Sequence, residues 1–183
     1  MRDPPVNRGS TLWLTGLSGA GKSTIAEAVA GLLRATSREV EVLDGDELRR
    51  NLSAGLGFSR QDRDTHVRRV GFVAELLARH GVVALVPVIA PYAATRDEVR
   101  AQHDAYGTGY LEVHVATPLD ECSRRDVKGL YARAATGELT GMTGVDDPYE
   151  EPDKPDLRLD TTGMDVAAAA RLVLDLLIER GVA

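Results

Sequence analysis

The stretch Gly16-Leu17-Ser18-Gly19-Ala20-Gly21-Lys22-Ser23 constrains this chain more than any other. It reads G-x-x-x-x-G-K-S, and its flanks are those of a phosphate-binding loop. Ahead of it Thr11–Thr15 has the make-up of a short apolar strand, and behind it Lys22–Ala35 carries apolar residues at helical spacing. Strand, glycine loop and helix bring backbone N–H groups around phosphate oxygens, with the positive end of a helix beneath them. Lys22 is then placed to reach the β- and γ-phosphates, and the Ser23 hydroxyl to ligate Mg²⁺. A chance glycine turn before a helix would not need the apolar strand in front of it.

At 183 residues the chain has the length of one domain with a substantial core, taken here as 11–183 behind a loose arm, Met1–Ser10. A net charge of −6 argues against a nucleic-acid-binding surface. Cys122 is the one cysteine, so no internal disulfide forms, and a reducing cytoplasm fits. No apolar run reaches membrane-spanning length, and Met1–Ser10 lacks the apolar core of a secretory signal.

Further strands are expected at Glu39–Leu43, Val82–Val86, Tyr110–Val115 and Leu157–Asp160. Between them fall helical patterns at Glu47–Leu52, Asp62–His80, Thr95–His103, Thr117–Arg125 and Asp165–Glu179. Ser53–Arg60 reads as a glycine-containing loop. Asp126–Asp156 reads as a long charged insertion around a short helical piece near Leu130–Thr136, and loops of that length are usually functional. Strands alternating with helices imply an α/β fold: a parallel sheet, mainly five-stranded, covered by helices on both faces in three layers. Ligands of such sheets bind beyond the carboxyl ends of the strands. The glycine loop, Asp44–Asp46, Pro87–Tyr92 and the insertion all fall on that rim.

The rim carries further chemistry. Val86-Pro87-Val88-Ile89 ends the most apolar strand without a carboxylate, so the acidic groups near phosphate are Asp44 and Asp46. Asp46 is suited to orient a Mg²⁺-bound water or to accept a proton from an acceptor hydroxyl. Either aspartate also suits a plain helix cap. Arg49, Arg63, Arg68, Arg124, Arg125 and Lys128 supply cations for anionic oxygens. Arg50, Arg69 and Arg133 read as solvated helix faces. Phe58 sits in the glycine-containing loop, where it either stacks on a base or plugs the loop. Trp13 and His114 are expected in the core or on a sheet face, His80 and His103 in solvent, and Cys122 as an inert helix residue.

These residues resemble the adenylylsulfate (APS) kinases. The likeness runs through Gly16–Thr24, Leu43-Asp44-Gly45-Asp46, Leu56-Gly57-Phe58-Ser59, Asp62-Arg63 and Arg68-Arg69. It continues in Pro91-Tyr92 with Arg96, Lys128-Gly129-Leu130-Tyr131 and Thr143-Gly144-Val145-Asp146-Asp147-Pro148-Tyr149-Glu150. The resemblance implies a P-loop fold with a mobile lid at about 128–150, and transfer of the ATP γ-phosphoryl group to the ribose 3′-hydroxyl of APS. It implies an ATP site of Gly16, Leu17, Ser18, Gly19, Ala20, Gly21, Lys22, Ser23 and Thr24 with Arg125. Lys22 and Asp46 would be catalytic, with Mg²⁺ held by Ser23 and, directly or through water, Asp46. Asp44, Asp46, Arg49, Phe58, Arg63, His66, Ile89, Lys128 and Met142 would meet APS. It also implies small-molecule substrates only, without nucleic acid or membrane, a homodimer, and an ATP sulfurylase in the same pathway as candidate partner.

Three positions depart from the common pattern of those kinases. Met142 stands where many have phenylalanine as second face of an adenine clamp. His66 stands where many have asparagine, and its charge is expected to vary near neutral pH. Ala90 stands where some carry a phosphorylated serine, so direct in-line transfer is expected. Two other readings compete. Another small-molecule P-loop kinase would not be expected to combine Leu56–Ser59 with Thr143–Glu150. A non-catalytic nucleotide-binding regulatory subunit would not be expected to retain Lys22, Ser23 and Asp46 together.

Overall fold

The computed structural model describes residues 9–183. Five strands form one parallel sheet: β1 (Ser10–Thr15), β2 (Val40–Val42), β3 (Val83–Pro87), β4 (Gly109–Val115) and β5 (Leu157–Leu159). Their order is β2-β3-β1-β4-β5, which places the strand before the glycine loop at the centre. The helices are α1 (Lys22–Arg34), α2 (Gly45–Leu52), α3 (Arg60–Arg79), α4 (Ala93–Tyr106), α5 (Leu119–Arg125), α6 (Leu130–Ala135) and α7 (Val166–Glu179).

Alternation along the strands builds two cores, because successive side chains leave a strand on opposite faces. Leu12 and Leu14 of β1, Val83 and Leu85 of β3 and Val113 of β4 join α1 and α7 on one face. Trp13, Ala84, Val86 and Tyr110 join α3 and α4 on the other. β1 is buried along its whole length, as a central parallel strand covered on both faces must be.

Caps move several helix starts outward from their expected positions. The Asp44 carboxylate accepts the N–H groups of Asp46 and Glu47, so α2 begins at Gly45 rather than Glu47. The Ser59 hydroxyl accepts from Asp62 N–H and starts α3 at Arg60. The expected arm falls on residues 1–8 outside the described part, but its last two residues belong to the fold. Ser10 opens β1, and a Cβ on Gly9 would stand 2.1 Å from the Val82 carbonyl oxygen.

His103 corrects an expectation. It is fully buried on α4, with one ring nitrogen 2.8 Å from the Val99 carbonyl oxygen and the other 2.8 Å from Thr11 Oγ1. The helix continues past it to Tyr106, so it is not the terminal residue that its spacing suggested. His80 is exposed at the end of α3, and Trp13 and His114 lie inside, as expected.

Candidate active site

The glycine loop joins β1 to α1 at the carboxyl edge of the sheet. Gly21 caps α1 at φ +104°, a left-handed conformation that a side chain would strain. No side chain caps that helix and no acidic residue stands in its first turn, so its leading N–H groups and positive end face the loop. Lys22 is buried at 8% exposure, and its Nζ donates to the Leu17 carbonyl 2.7 Å away. Loss of hydration pushes its pKa down to about 8, against weaker opposing effects from Cys122, Asp46 and Asp44. Ser23 and Thr24 are exposed on the first turn of α1.

The Ser23 hydroxyl donates to Asp44 Oδ2 at 3.2 Å, while Asp44 Oδ1 caps α2. Asp44 is therefore both a cap and a neighbour of the phosphate loop. Asp46, one position into α2, caps nothing. Its carboxylate is exposed and pairs with Lys128, which lies 82 residues further along the chain. One turn on, the Arg49 guanidinium lies 4.5 Å over the Phe58 ring and donates to the Gly57 carbonyl at 2.9 Å. Phe58 is 66% exposed, so its ring does not plug its loop. A cavity of about 470 Å³ opens here, lined by Asp46, Arg49, Arg50, Ser53, Ala54 and Leu56.

His66 is buried beneath this cavity, its Nδ1 3.0 Å from Ser53 Oγ. Burial, reinforced by the nearby Arg49 charge, pushes its pKa down to about 4. The expected titration near neutral pH is thereby corrected: the ring stays neutral there. Ile89, half-buried just after β3, turns its carbonyl to the Thr15 hydroxyl. Ala90 follows at φ +43°, a left-handed conformation held by Arg96, whose guanidinium donates to the Ala90 carbonyl at 2.7 Å.

The segment after α5 closes over the glycine loop. Asp126, at φ +29°, accepts the N–H groups of Tyr131 and Ala132 and so starts α6. The Tyr131 hydroxyl donates to the Ser18 carbonyl at 2.8 Å. Gly144 packs so closely that a Cβ there would stand 2.6 Å from Leu17 Cδ2. Arg125 backs the loop from behind, donating to Thr161 Oγ1 at 2.8 Å and to the Gly19 carbonyl at 3.4 Å. Met142 is only 7% exposed and belongs to the core on the α1–α7 face. Arg63 is buried too, and donates to Phe58, Gly141 and Thr143.

The structure thus gathers Lys22, Ser23, Asp44, Asp46, Arg49, Phe58, His66 and Lys128 on one rim. Arg125 stands behind the glycine loop, and Met142 is packed into the core on the α1–α7 face. The links made by Tyr131, Asp126 and Arg96 were missed as site features. Arg96 and Tyr131 appear in the sequence only as parts of the family likeness, because Tyr131 meets Ser18 and Arg96 meets Glu150 across 113 and 54 residues; Asp126 acts locally, on amides five and six residues on.

The family model for adenylylsulphate kinase matches residues 8–160. A curated adenylyl-sulfate kinase of Picosynechococcus is 49% identical over 96% of this chain and 97% of its own length. One of Myxococcus xanthus is 53% identical over 94% of this chain and 93% of its own. Among solved structures, the Mycobacterium tuberculosis APS kinase in complex with AMPPNP and APS superposes with a TM-score of 0.91 at 48% identity, covering 96% of this chain and 99% of that one. A sugar kinase from Janibacter, at 20% identity and a TM-score of 0.62, shares the fold alone. The family model covers most of the chain, and the relatives match it along nearly their whole length: the chain belongs to the adenylylsulphate kinase family.

Proposed function

We propose that this protein transfers the γ-phosphoryl group of ATP to the ribose 3′-hydroxyl of APS, giving ADP and 3′-phosphoadenylyl sulfate (PAPS). The observation that carries this reading is the pairing of Asp46 with Lys128 beside the uncapped start of α1, one turn from Arg49 and the exposed Phe58 ring. Donor phosphates fit the loop Gly16–Thr24, with Lys22 on their terminal oxygens and Arg125 fixing the loop from behind. The acceptor base fits against Phe58, once Arg49 moves from the ring towards the acceptor's anionic arm. Ile89, Asp44, His66 and Lys128 border the same space, and Met142 supports the lid that covers it.

In the transfer, the 3′-oxygen forms a bond to the γ-phosphorus as the bond to the β–γ bridging oxygen breaks. The hydroxyl proton passes to the Asp46 carboxylate, and the electron pair of the broken bond leaves on ADP. Lys22 and Lys128 offset the negative charge spread over the phosphoryl oxygens. Ala90 has no hydroxyl to be phosphorylated, so transfer is direct. Lid closure excludes water, which would otherwise compete as acceptor.

The donor set suits Mg²⁺. The Ser23 hydroxyl and the Asp44 and Asp46 carboxylates are hard oxygen donors. Among the described residues no group of three or more His, Cys, Asp or Glu side chains converges, so the ion would be carried largely by phosphate and water. When bound, Mg²⁺ supplies charge neutralisation on the β- and γ-phosphates. Ser23 would hold it, with Asp46 reaching it through water.

In this reading the protein works as a cytoplasmic homodimer, and APS comes from an ATP sulfurylase. Sedimentation of the purified chain tests the dimer. The kinase assignment is tested by APS-dependent PAPS formation with Asp46→Ala as comparison. PAPS from the parent protein and a loss of at least about a hundredfold in the variant are expected, the scale of general-base removal. Full activity in Asp46→Ala would remove Asp46 from the chemistry.

A further inference from the structure

We propose that Glu121 is a positioning residue of the donor site: through Arg125 and Thr161 it holds the Ala20–Gly21 peptide so that the Gly21 N–H faces the phosphates of ATP. The proposal rests on the reading that the glycine loop takes the donor phosphates.

Glu121 lies in the first turn of α5, its side chain 14% exposed. Its Oε1 accepts from Arg125 Nε at 2.8 Å. Arg124, at the surface, donates to both carboxylate oxygens at 2.7 Å. Hydrogen bonds from the two arginines hold the Glu121 carboxyl down to about 2, so it is ionised at neutral pH. Arg125 turns its other two nitrogens on a single residue. One donates to Thr161 Oγ1 at 2.8 Å and the other to the Thr161 carbonyl at 2.9 Å. A planar fork held along one edge by a carboxylate has the direction of its remaining donors fixed.

The connection continues to the glycine loop. An arginine only donates, so Thr161 Oγ1 accepts from Arg125 and passes its own proton on. Two acceptors are within reach, the Ala20 carbonyl at 3.1 Å and Thr117 Oγ1 at 2.8 Å. Thr117 Oγ1 in turn stands 3.0 Å from the same Ala20 carbonyl. By either route the hydrogen bonds end on the Ala20 carbonyl. Thr117 and Thr161 are both buried, so water does not compete for it. The peptide is planar and trans, so the Ala20 carbonyl and the Gly21 N–H point in opposite directions. A carbonyl drawn back towards Thr117 and Thr161 sends that N–H forward, at the start of α1 where an anion is favoured.

Three variants test the connection. Glu121→Ala removes the carboxylate, Glu121→Gln keeps an oxygen that still accepts from Arg125, and Thr161→Val keeps the shape and loses the hydroxyl. KM for ATP is expected to rise about tenfold in Glu121→Ala and in Thr161→Val, and about threefold in Glu121→Gln. KM for APS and kcat are expected to change less than about twofold, the pattern of weakened donor binding. Glu121→Ala combined with Thr161→Val is expected to be no worse than Thr161→Val alone, because both break one connection. Unchanged KM for ATP in Glu121→Ala, losses that add in the double variant, or an equal rise in KM for both substrates would each overturn the proposal. If Thr161→Val does not fold, the contrast between KM for ATP and KM for APS in Glu121→Ala decides. A parent protein that makes no PAPS would defeat the kinase reading, and the calorimetric affinity of the same variants for ATP would still decide whether Glu121 acts on the glycine loop.

Discussion

Lys22 and His66 show what burial does to a single charge. Lys22 is held charged in the folded protein only up to about pH 8, whereas its ordinary value is 10.5. Phosphate oxygens beside it favour the charged form. Nucleotide binding at pH 8.5 is therefore expected to take up a fraction of one proton. Calorimetry in two buffers of different ionisation heat measures this, and Lys22→Met should abolish it; equal heats for the parent protein would refute it. His66 runs the same way on the acid side. Its folded pKa of about 4 lies below the ordinary 6.5, so between those values the unfolded chain binds more protons. Its contribution is present above pH 6.5 and is lost as pH falls towards 4. Urea unfolding at pH 4.5 and 7.5 should show the parent protein losing up to about 3 kcal/mol more than His66→Asn across that window. Equal losses would show that His66 does not titrate as a buried neutral ring.

At the scale of elements, the segment from 126 to 150 is a set of short pieces fastened individually. α6 is only six residues, too short to persist by itself. It is held by the Asp126 carboxylate at its start and by Tyr131 on the Ser18 carbonyl. Met142 sits at the next turn, packed into the α1–α7 core. Its sequence position suggests a clamp face, and its burial dictates how a substitution there behaves. Met142→Phe is expected to cost about 1–3 kcal/mol through overpacking, read by chemical denaturation. Unchanged stability together with tighter APS binding would instead place that side chain in the cleft.

Across the whole molecule, Arg96 connects what the chain keeps apart. At 3% exposure it donates to the Ala90 carbonyl and the Glu150 carbonyl, each at 2.7 Å, and pairs with Glu112 of β4 at 3.0 Å. The loop after β3, the end of the lid and the sheet therefore share one guanidinium. Arg96→Ala should destabilise the protein by about 3–5 kcal/mol, because it leaves the Glu112 carboxylate with only Arg100, at 3.5 Å, and removes the donor from two carbonyls. Arg96→Lys should recover only part of that in urea melts. A loss below about 1 kcal/mol would show that water replaces the fork.

Much of this was legible in one dimension. The glycine loop with its flanking strand and helix fixed the donor side, because phosphate binding there uses backbone groups whose geometry is local. Alternating strand and helix patterns gave the parallel sheet, and the order β2-β3-β1-β4-β5 set the loops on the expected rim. Helix starts slipped by about two residues at Asp44 and Ser59, where a side-chain cap outweighed the apolar pattern. His103 looked like a solvated end residue and is buried, because Thr11 on β1, far off in sequence, provides its partner.

By itself, then, the sequence determined the family, the fold and the place of the glycine loop between β1 and α1, since those depend on spacing along a few turns of chain. Tertiary structure alone decided that Lys22 and His66 are stripped of water, that Arg49 rather than Arg63 covers Phe58, and that Met142 faces the core. Burial and hydrogen-bond partnership arise between segments more than a hundred residues apart, as between Tyr131 and Ser18, and no local pattern records which segments will meet.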